Sequence, residues 1–264
     1  MIIYGHRGAK GEAPENTLPG FRHAYGNGIR HFELDVLLSA NGEPVVIHDT
    51  TTDRTTGVSG RVGDMTAEAL NKLDARKNTT PWPNSCGVPR LQDVLNTCPD
   101  FRHMQFEVKT DQRQRMNILC NRLAELIQKN HWYDRAALTS SDTWFLREAK
   151  RRDRKLRTGL VFDKRFPNPV KSATRLGCDY LCLSARLCSE AVVQSAHKAG
   201  LHVSVWTVNR IHDMLELEKM GVDSIITDYP TSTLVYFENR PNILANRLPH
   251  RTEKDPETLA GSTT

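Results

Sequence analysis

The 264-residue chain has no apolar run long enough to cross a bilayer, so no membrane-spanning helix is expected. Its six cysteines (Cys86, Cys98, Cys120, Cys178, Cys182 and Cys188) contain no CxxC pair and lack the histidine partners of a zinc site. They read as reduced thiols that pack. No GxGxxG turn follows the first apolar strand, which disfavours a doubly wound dinucleotide-binding sheet. The 36 Lys and Arg stand against 31 Asp and Glu, a net charge of +5, and are scattered among the acids rather than gathered in a basic and aromatic tract. Nucleic acid is not indicated as a partner. Met1 to Gly5 carry neither a basic n-region nor a cleavage site, so the reading expects no leader and a cytoplasmic location.

What the chain does have is a stretch of alternating character, His31-Phe32-Glu33-Leu34-Asp35-Val36, followed by Val45-Val46-Ile47-His48-Asp49. As a strand, the first puts Glu33 and Asp35 on one face and Phe32, Leu34 and Val36 on the other. Two carboxylates side by side repel unless a cation sits between them, and a hard divalent metal is the usual solution. The plain alternative is a half-buried strand with a solvated acidic face.

The flanking sequence places this strand in a repeating unit. Ile2-Ile3-Tyr4 reads as a strand, and Leu18, Phe21, Ala24 and Tyr25 as one face of a helix that Gly28 ends. Residues 50 to 89 break the rhythm with Thr, Gly, Asp and Pro, and read as an insertion with one short helix near Thr66 to Leu73. Strand and helix then alternate: Met104 to Lys109, a helix from Arg115 to Gln128 with Ile118, Leu119, Leu123 and Leu126 on one side, then strands at Ala136 to Thr139, Leu156 to Val161, Tyr180 to Leu183, Val203 to Trp206 and Ser224 to Thr227. About eight strands with intervening helices over this length predict an α/β fold, a single-domain (β/α)8 TIM barrel over residues 1–240 with a short insertion after strand two. Residues 241–264, rich in polar residues and Pro, read as a mobile tail.

In such a barrel the functional residues gather at the C-terminal ends of the strands. His6 and Arg7 follow strand one, Glu33 and Asp35 lie on strand two, Glu107 and Lys109 end strand three, and Trp206 and Asp228 close the last two. Glu33, Asp35 and Glu107 offer three hard oxygen ligands for Mg2+ or Ca2+. His6 and His48 offer two groups suited to general acid and base work. Arg7 and Lys109 offer fixed positive charge for a phosphate. That set suggests phosphodiester cleavage.

The motifs His6-Arg7-Gly8, Pro14-Glu15-Asn16-Thr17, Glu33-Leu34-Asp35-Val36, Val46-Ile47-His48-Asp49, Asp53-Arg54-Thr55-Thr56, Phe106-Glu107-Val108-Lys109, Val205-Trp206-Thr207-Val208-Asn209 and Gly221 to Asp228 resemble, in order, those of the glycerophosphodiester phosphodiesterase family. The resemblance implies a TIM barrel and metal-dependent hydrolysis of glycerophosphodiesters to glycerol 3-phosphate and an alcohol. It implies His6 and His48 as the acid/base pair, Glu33, Asp35 and Glu107 as metal ligands, and Arg7 and Lys109 as phosphate contacts. Glu15, Asn16 and Trp206 match positions that support or contact substrate; Asn16 is alternatively the cap of the following helix, and Trp206 an apolar wall at the mouth. Two departures stand out: the stretch from Ala75 to Pro89 is short, predicting a reduced cap over the site, and Tyr180 to Ser184 lacks the Asn usual at that strand's end. Asp49, Asp53 and Arg54 read as a structural ion pair, and Asp228 as a cap or a group behind the site. The expected substrate is a small soluble diester, with no stable membrane insertion. The attacking oxygen is water or the neighbouring glycerol hydroxyl. A non-catalytic barrel that binds phosphodiester or lipid head groups, and a related phospholipase-type barrel, are the competing classes.

Overall fold

The structure, a computed structural model, describes residues 1–79 and 81–245. Its elements run β1 (Ile2–His6), α1 (Leu18–Gly26), β2 (His31–Leu38), β3 (Pro44–Val46), α2 (Asp53–Thr56), α3 (Ala67–Asn71), α4 (Leu91–Thr97), β4 (His103–Val108), α5 (Arg113–Lys129), β5 (Ala136–Ser140), α6 (Thr143–Arg152), β6 (Arg157–Phe162), α7 (Pro169–Arg175), β7 (Tyr180–Ser184), α8 (Glu190–Lys198), β8 (His202–Trp206), α9 (Ile211–Lys219), β9 (Ser224–Thr227) and α10 (Pro230–Ala245). Strands β1, β2 and β4 to β9 pair in parallel, and the β1–β2 pairing closes the ring into an eight-stranded barrel. The (β/α)8 expectation holds.

The alternation expected of His31 to Val36 is what the barrel uses. Phe32, Leu34 and Val36 are fully buried in the layer between sheet and helices, while Glu33 and Asp35 point to the barrel axis. Each fully buried Phe or Leu of this layer contributes roughly 1.5–3 kcal/mol of transfer free energy. The helix at α5 corrects one expectation. Met116, Leu119, Cys120, Leu123 and Ile127 form its buried stripe, whereas Ile118 is 45% exposed and Leu126 only partly covered. At 100° per residue the stripe falls at 116, 119/120, 123 and 127, and position 118 lies well off it.

The ninth strand, β3, was not expected. It pairs antiparallel with the end of β2, Val36 opposite Val46, and so makes a hairpin that rises above the barrel mouth. The insertion that follows is not a loose excursion. Val62, Ala67, Leu70, Ala75 and Val88 close over Leu37, Val45 and Ile47 to form a second, smaller core. This anchors the segment that carries His48. Helix α10 continues to Ala245, past the boundary read at residue 240; the rest of the tail reading, residues 246–264, lies outside the described residues.

The barrel interior is polar at its N-terminal end. His103 sits at the start of β4 with Tyr4 OH 3.0 Å from Nδ1 and Tyr180 OH 3.1 Å from Nε2. His31 and His202 pack nearby with tilted rings, against Tyr4 and Tyr180 respectively. Burial holds the His103 ring neutral, pushing its pKa from 6.5 down to about 3, and does the same to His31, down to about 4. A histidine whose folded pKa is depressed stabilises fully above its unfolded value, and that stability is lost as pH falls through the window toward the folded value. We expect stability to fall between about pH 6.5 and pH 3, with His103 alone contributing a slope of about 1.4 kcal/mol per pH unit. In urea titrations at several pH values, His103→Gln should remove that part of the slope. An unchanged slope in the variant would assign the acid sensitivity to other groups.

Candidate active site

Asp35 is the centre of the site. It is 1% exposed, and three side chains converge on it: Lys109 Nζ at 2.8 Å from Oδ1, Asn16 Nδ2 donating to Oδ2 at 2.8 Å, and Arg7 Nε at 3.1 Å from the same oxygen, in ion-pair range though not aligned for a hydrogen bond. Burial pushes its carboxyl pKa up, but Lys109 and Arg7 more than reverse this and hold it far below the usual carboxylate range. Glu33, two residues earlier on the same face, shows the opposite balance. Burial, then the negative charges of Asp35 and Glu107, push its carboxyl well above the usual range.

Glu33, Asp35 and Glu107 each present a carboxylate oxygen within 4.8 Å of the others. The register explains it: Asp35 lies directly opposite Glu107 on β2 and β4, with Glu33 one pleat below. Arg7 and Lys109 are the cations at their centre, so three acids face two bases. Among the described residues Glu33 Oε1 and Asp35 Oδ1, although buried, have no hydrogen-bond partner. A pocket with an orphaned carboxylate oxygen and an excess of hard anionic donors suits a divalent cation. Lys109 Nζ also pairs with Glu107, so the two residues expected at this strand end lie together at the end of β4.

The two histidines are built alike. His6 Nδ1 lies 2.5 Å from Asp228 Oδ1, and His48 Nδ1 lies 2.7 Å from Asp49 Oδ1. Burial raises the Asp228 carboxyl, but the hydrogen bond and charge of His6 outweigh it and bring it down to about 2. The Asp49 carboxyl is likewise held low by His48 and Arg54 against the raising effect of burial. Both acids are therefore ionised and can only accept, which puts a ring proton on Nδ1 and leaves Nε2 as the nitrogen that faces the reaction in each ring. His6 Nε2 is 3.8 Å from Glu33 Oε2. Asp228 is itself held by Asn209, whose Nδ2 donates to Oδ2 at 2.7 Å.

Glu15 is tied to both histidine segments at once. Its carboxylate accepts from Arg7 at 2.8 Å, from Arg54 at 2.8 and 3.0 Å, and from Asn78 at 2.8 Å. Burial raises this carboxyl, but Arg54 and Arg7 bring it down to about 2. Arg54 Nε also donates to Asp49 at 2.5 Å, so a chain of contacts runs from Arg7, beside His6, through Glu15 and Arg54 to Asp49 and His48. The ion pair expected of Asp49, Asp53 and Arg54 thus forms between Asp49 and Arg54 only; Asp53 turns to Ser59 instead. The cap of α1 is also corrected: Thr17 Oγ1, not Asn16, accepts from Gly20 N, which frees Asn16 for Asp35. Arg7 and Asn16 both have left-handed backbone, φ 51° and 54°, a conformation that costs of order 1 kcal/mol or more for each. They brace each other, Asn16 N donating to Arg7 O at 2.9 Å. The turn is tight enough that a Cβ on Gly5 would stand 2.2 Å from Gly8 O, so glycine is required there.

His6, Arg7, Glu33, His48, Glu107, Lys109 and Trp206 line one cavity of about 180 Å3 at the barrel mouth. Trp206 Nε1 donates to Cys182 O at 3.0 Å, which sets the indole as a wall of this cavity. Glu15 and Asn16 lie behind it. Asn209 and Asn78, and the carboxylate partners as partners of the histidines, were not assigned roles from sequence. Their visible signals are the His48-Asp49 adjacency and an acid placed just after the last strand.

These residues sit within a segment, 6–232, that matches the model of the glycerophosphoryl diester phosphodiesterase family. A glycerophosphodiester phosphodiesterase of Caldanaerobacter subterraneus subsp. tengcongensis is 32% identical over 234 residues, 88% of this chain and 96% of the relative. The crystal structure of a glycerophosphodiester phosphodiesterase from Agrobacterium tumefaciens str. C58 superposes with a TM-score of 0.75 at 25% identity, over 88% of this chain and 97% of that one. An Oleispira antarctica phosphodiesterase, solved in complex with the product sn-glycerol-3-phosphate, shares the fold with a TM-score of 0.79 at 24% identity, over 90% and 97% of the two chains. By the extent of the family match and of its relatives, the chain belongs to the glycerophosphoryl diester phosphodiesterase family of enzymes.

Proposed function

We propose that the chain hydrolyses small soluble glycerophosphodiesters to glycerol 3-phosphate and an alcohol, with His6 and His48 as acid and base and with Glu33, Asp35 and Glu107 holding a divalent cation, Mg2+ or Ca2+. The observation that carries this reading is the meeting, in one cavity, of two carboxylate-backed imidazoles with Glu33, Glu107 and the cations Arg7 and Lys109, Asp35 presenting a carboxylate oxygen within 4.8 Å of the other two acids. The product bound by the Oleispira antarctica enzyme supports glycerol 3-phosphate as the product here. Among the described residues no helix is long and apolar enough to cross a membrane, and all six thiols are free, five of them buried. The proposed barrel, which includes α10 to Ala245, works in the cytoplasm on a soluble substrate, a reading that the free, mostly buried thiols support.

Arg7 and Lys109 neutralise and orient the phosphate, a task for which a guanidinium fork and an ammonium are well matched. A divalent cation held by Glu33, Asp35 and Glu107 would supply Lewis-acid charge against the negative charge that develops at the phosphate. One imidazole takes the proton of the attacking oxygen at Nε2, and the other, protonated, gives its Nε2 proton to the departing alcohol. The P–O bond to the alcohol breaks as the bond to the attacking oxygen forms. Asp49 and Asp228 hold each ring at its Nδ1 and stabilise the imidazolium form. Glu15 and Asn16 act as positioning residues for Arg7 and Asp35, and Trp206 walls the cavity. The attacking oxygen is the free glycerol hydroxyl next to the ester, whose tether gives it a large effective molarity, up to about 7–11 kcal/mol of advantage in well-oriented systems. This attack expels the alcohol and closes a cyclic 1,2-phosphate, which water then opens to glycerol 3-phosphate, the imidazole that gave its proton now taking one from the water and the other returning its proton to the glycerol oxygen.

The test is glycerol 3-phosphate release from a panel of glycerophosphodiesters, with and without chelator. Activity should vanish in excess chelator and return on addition of Mg2+ or Ca2+; full turnover after exhaustive chelation would overturn the cation assignment. His6→Ala and His48→Ala should each lower kcat by about 100- to 10,000-fold with an unchanged circular dichroism spectrum. A folded variant that keeps more than about a tenth of wild-type kcat would remove that histidine from the mechanism. A substrate analogue without the glycerol 2-hydroxyl should bind and hardly turn over, and a cyclic 1,2-phosphate should be trapped early. Cleavage of the deoxy analogue within a few fold of the parent would establish water as the attacking group.

A further inference from the structure

Beside the reaction cavity lies a second and larger space, a groove of about 640 Å3 that shares Glu107, Val161 and Trp206 with it. It is formed by the segments that follow β4, β5 and β6. A diester whose phosphate sits between Arg7 and Lys109 has two arms, and the groove is the space next to the reaction cavity with room for the larger, variable one.

The charges that line the groove differ in whether they are already engaged. Asp142 is the cap of α6, its Oδ1 accepting from Trp144 N at 2.9 Å and Phe145 N at 3.0 Å. Asp163 faces Arg186 at 3.9 Å, and Arg186 also donates to its backbone carbonyl at 2.6 Å. Glu107 belongs to the acidic cluster and pairs with Lys109. The two cations of the groove, Arg113 and Lys164, are exposed and, among the described residues, make no ion pair or hydrogen bond. Arg113 lies 5.8 Å from the centre of the Trp144 ring, so the indole face that a cationic head group would need already has a guanidinium beside it. The acids are engaged by chain partners, whereas Lys164 has none among the described residues and Arg113 has only the indole face.

We propose that this groove receives the alcohol arm of the diester and selects alcohols that carry a second anionic group, a phosphate or a carboxylate, through Arg113 and Lys164. The inference rests on the reading of the neighbouring cavity as a glycerophosphodiester site. Both side chains are exposed, so the contribution of each is modest and screened by salt. Together they should give a preference of roughly tenfold, which corresponds to about 1.4 kcal/mol.

The experiment compares kcat/KM for three substrates: glycerophosphoglycerol, the same diester bearing a terminal phosphate, and glycerophosphocholine. The wild type should favour the phosphorylated substrate about tenfold over its parent at low salt, and less at high salt. In the double variant Arg113→Ala, Lys164→Ala the ratio of the two should fall to near one. A ratio near one in the wild type, or a tenfold ratio retained by the double variant, would overturn the inference while the hydrolysis itself stood. Glycerophosphocholine as the best of the three would mean that the groove selects cations through Asp142, Asp163 and the indoles, and would also overturn it. No hydrolysis of any of the three, with metal supplied, would overturn the reading of the reaction cavity and this inference with it.

Discussion

Two carboxylates held side by side inside a barrel, Glu33 and Asp35, impose the constraint around which the mouth of this protein is organised. Isolated buried carboxylates cannot stay ionised without compensation. Asp35 receives its compensation from the chain itself, through Lys109, Arg7 and Asn16. Glu33 receives less, one backbone N–H from Arg7 at 3.3 Å and the more distant charges of Lys109 and Arg7, and burial with its acidic neighbours outweighs them. The chain thus builds one carboxylate that is largely compensated by protein and one that is not, and each keeps a buried oxygen without a hydrogen-bond partner for a donor set that Glu107 completes. Removing a partner of Asp35 would strand a buried charge, whereas a cation added at Glu33 relieves one.

The same constraint explains why residues distant in sequence are bound so tightly behind the cavity. Arg7 must stay beside Asp35, yet it comes from a loop whose backbone is strained at both Arg7 and Asn16. Glu15 fixes the outer end of that guanidinium, and Arg54, from the insertion, fixes the other side of Glu15. Because Arg54 also grips Asp49, the position of His48 depends on the same chain of contacts as the position of Arg7. The small core under the insertion gives this chain a rigid base, since Val62, Leu70 and Val88 hold the segment that carries His48 against the β2–β3 hairpin. Catalytic geometry at the mouth is sensitive to displacements of an ångström or less, which is the reason for such bracing.

Much of this was readable from sequence because it depends on short-range periodicity. Strand alternation alone places Glu33 and Asp35 inward and Phe32, Leu34 and Val36 outward, and the repeated strand and helix signals imply a barrel. What was not readable depends on which side chain wins a shared partner. Nothing local says that Thr17 rather than Asn16 caps α1, or that Arg54 chooses Glu15, thirty-nine residues away, over its neighbour Asp53. The role of Asp228 as partner of His6, 222 residues apart, exists only once the barrel closes and brings β9 beside β1. The β3 strand was missed because three residues are too few for a periodicity to register, and the face of α5 was misjudged at Ile118 because four apolar residues can be fitted to more than one stripe.

The interior of the barrel carries the argument one step further. Barrels of this kind are commonly filled by layers of branched aliphatic side chains. Here the axis is lined instead by His103 between two tyrosines at one end, by Gln105 donating to Ser204 at 3.2 Å in the middle, and by the acidic cluster at the other. Gly159 belongs to this interior for a steric reason: a Cβ there would lie 2.9 Å from both Thr139 Cγ2 and Tyr180 Cβ. The aliphatic packing that holds the fold together has been displaced outward, into the layer between strands and helices. That division separates the two demands on the molecule. Stability is carried by a shell that never meets substrate, so the axis can be given over to polar groups whose mutual hydrogen bonds must be complete at the closed end and deliberately incomplete at the open one, where Glu33 waits for a partner.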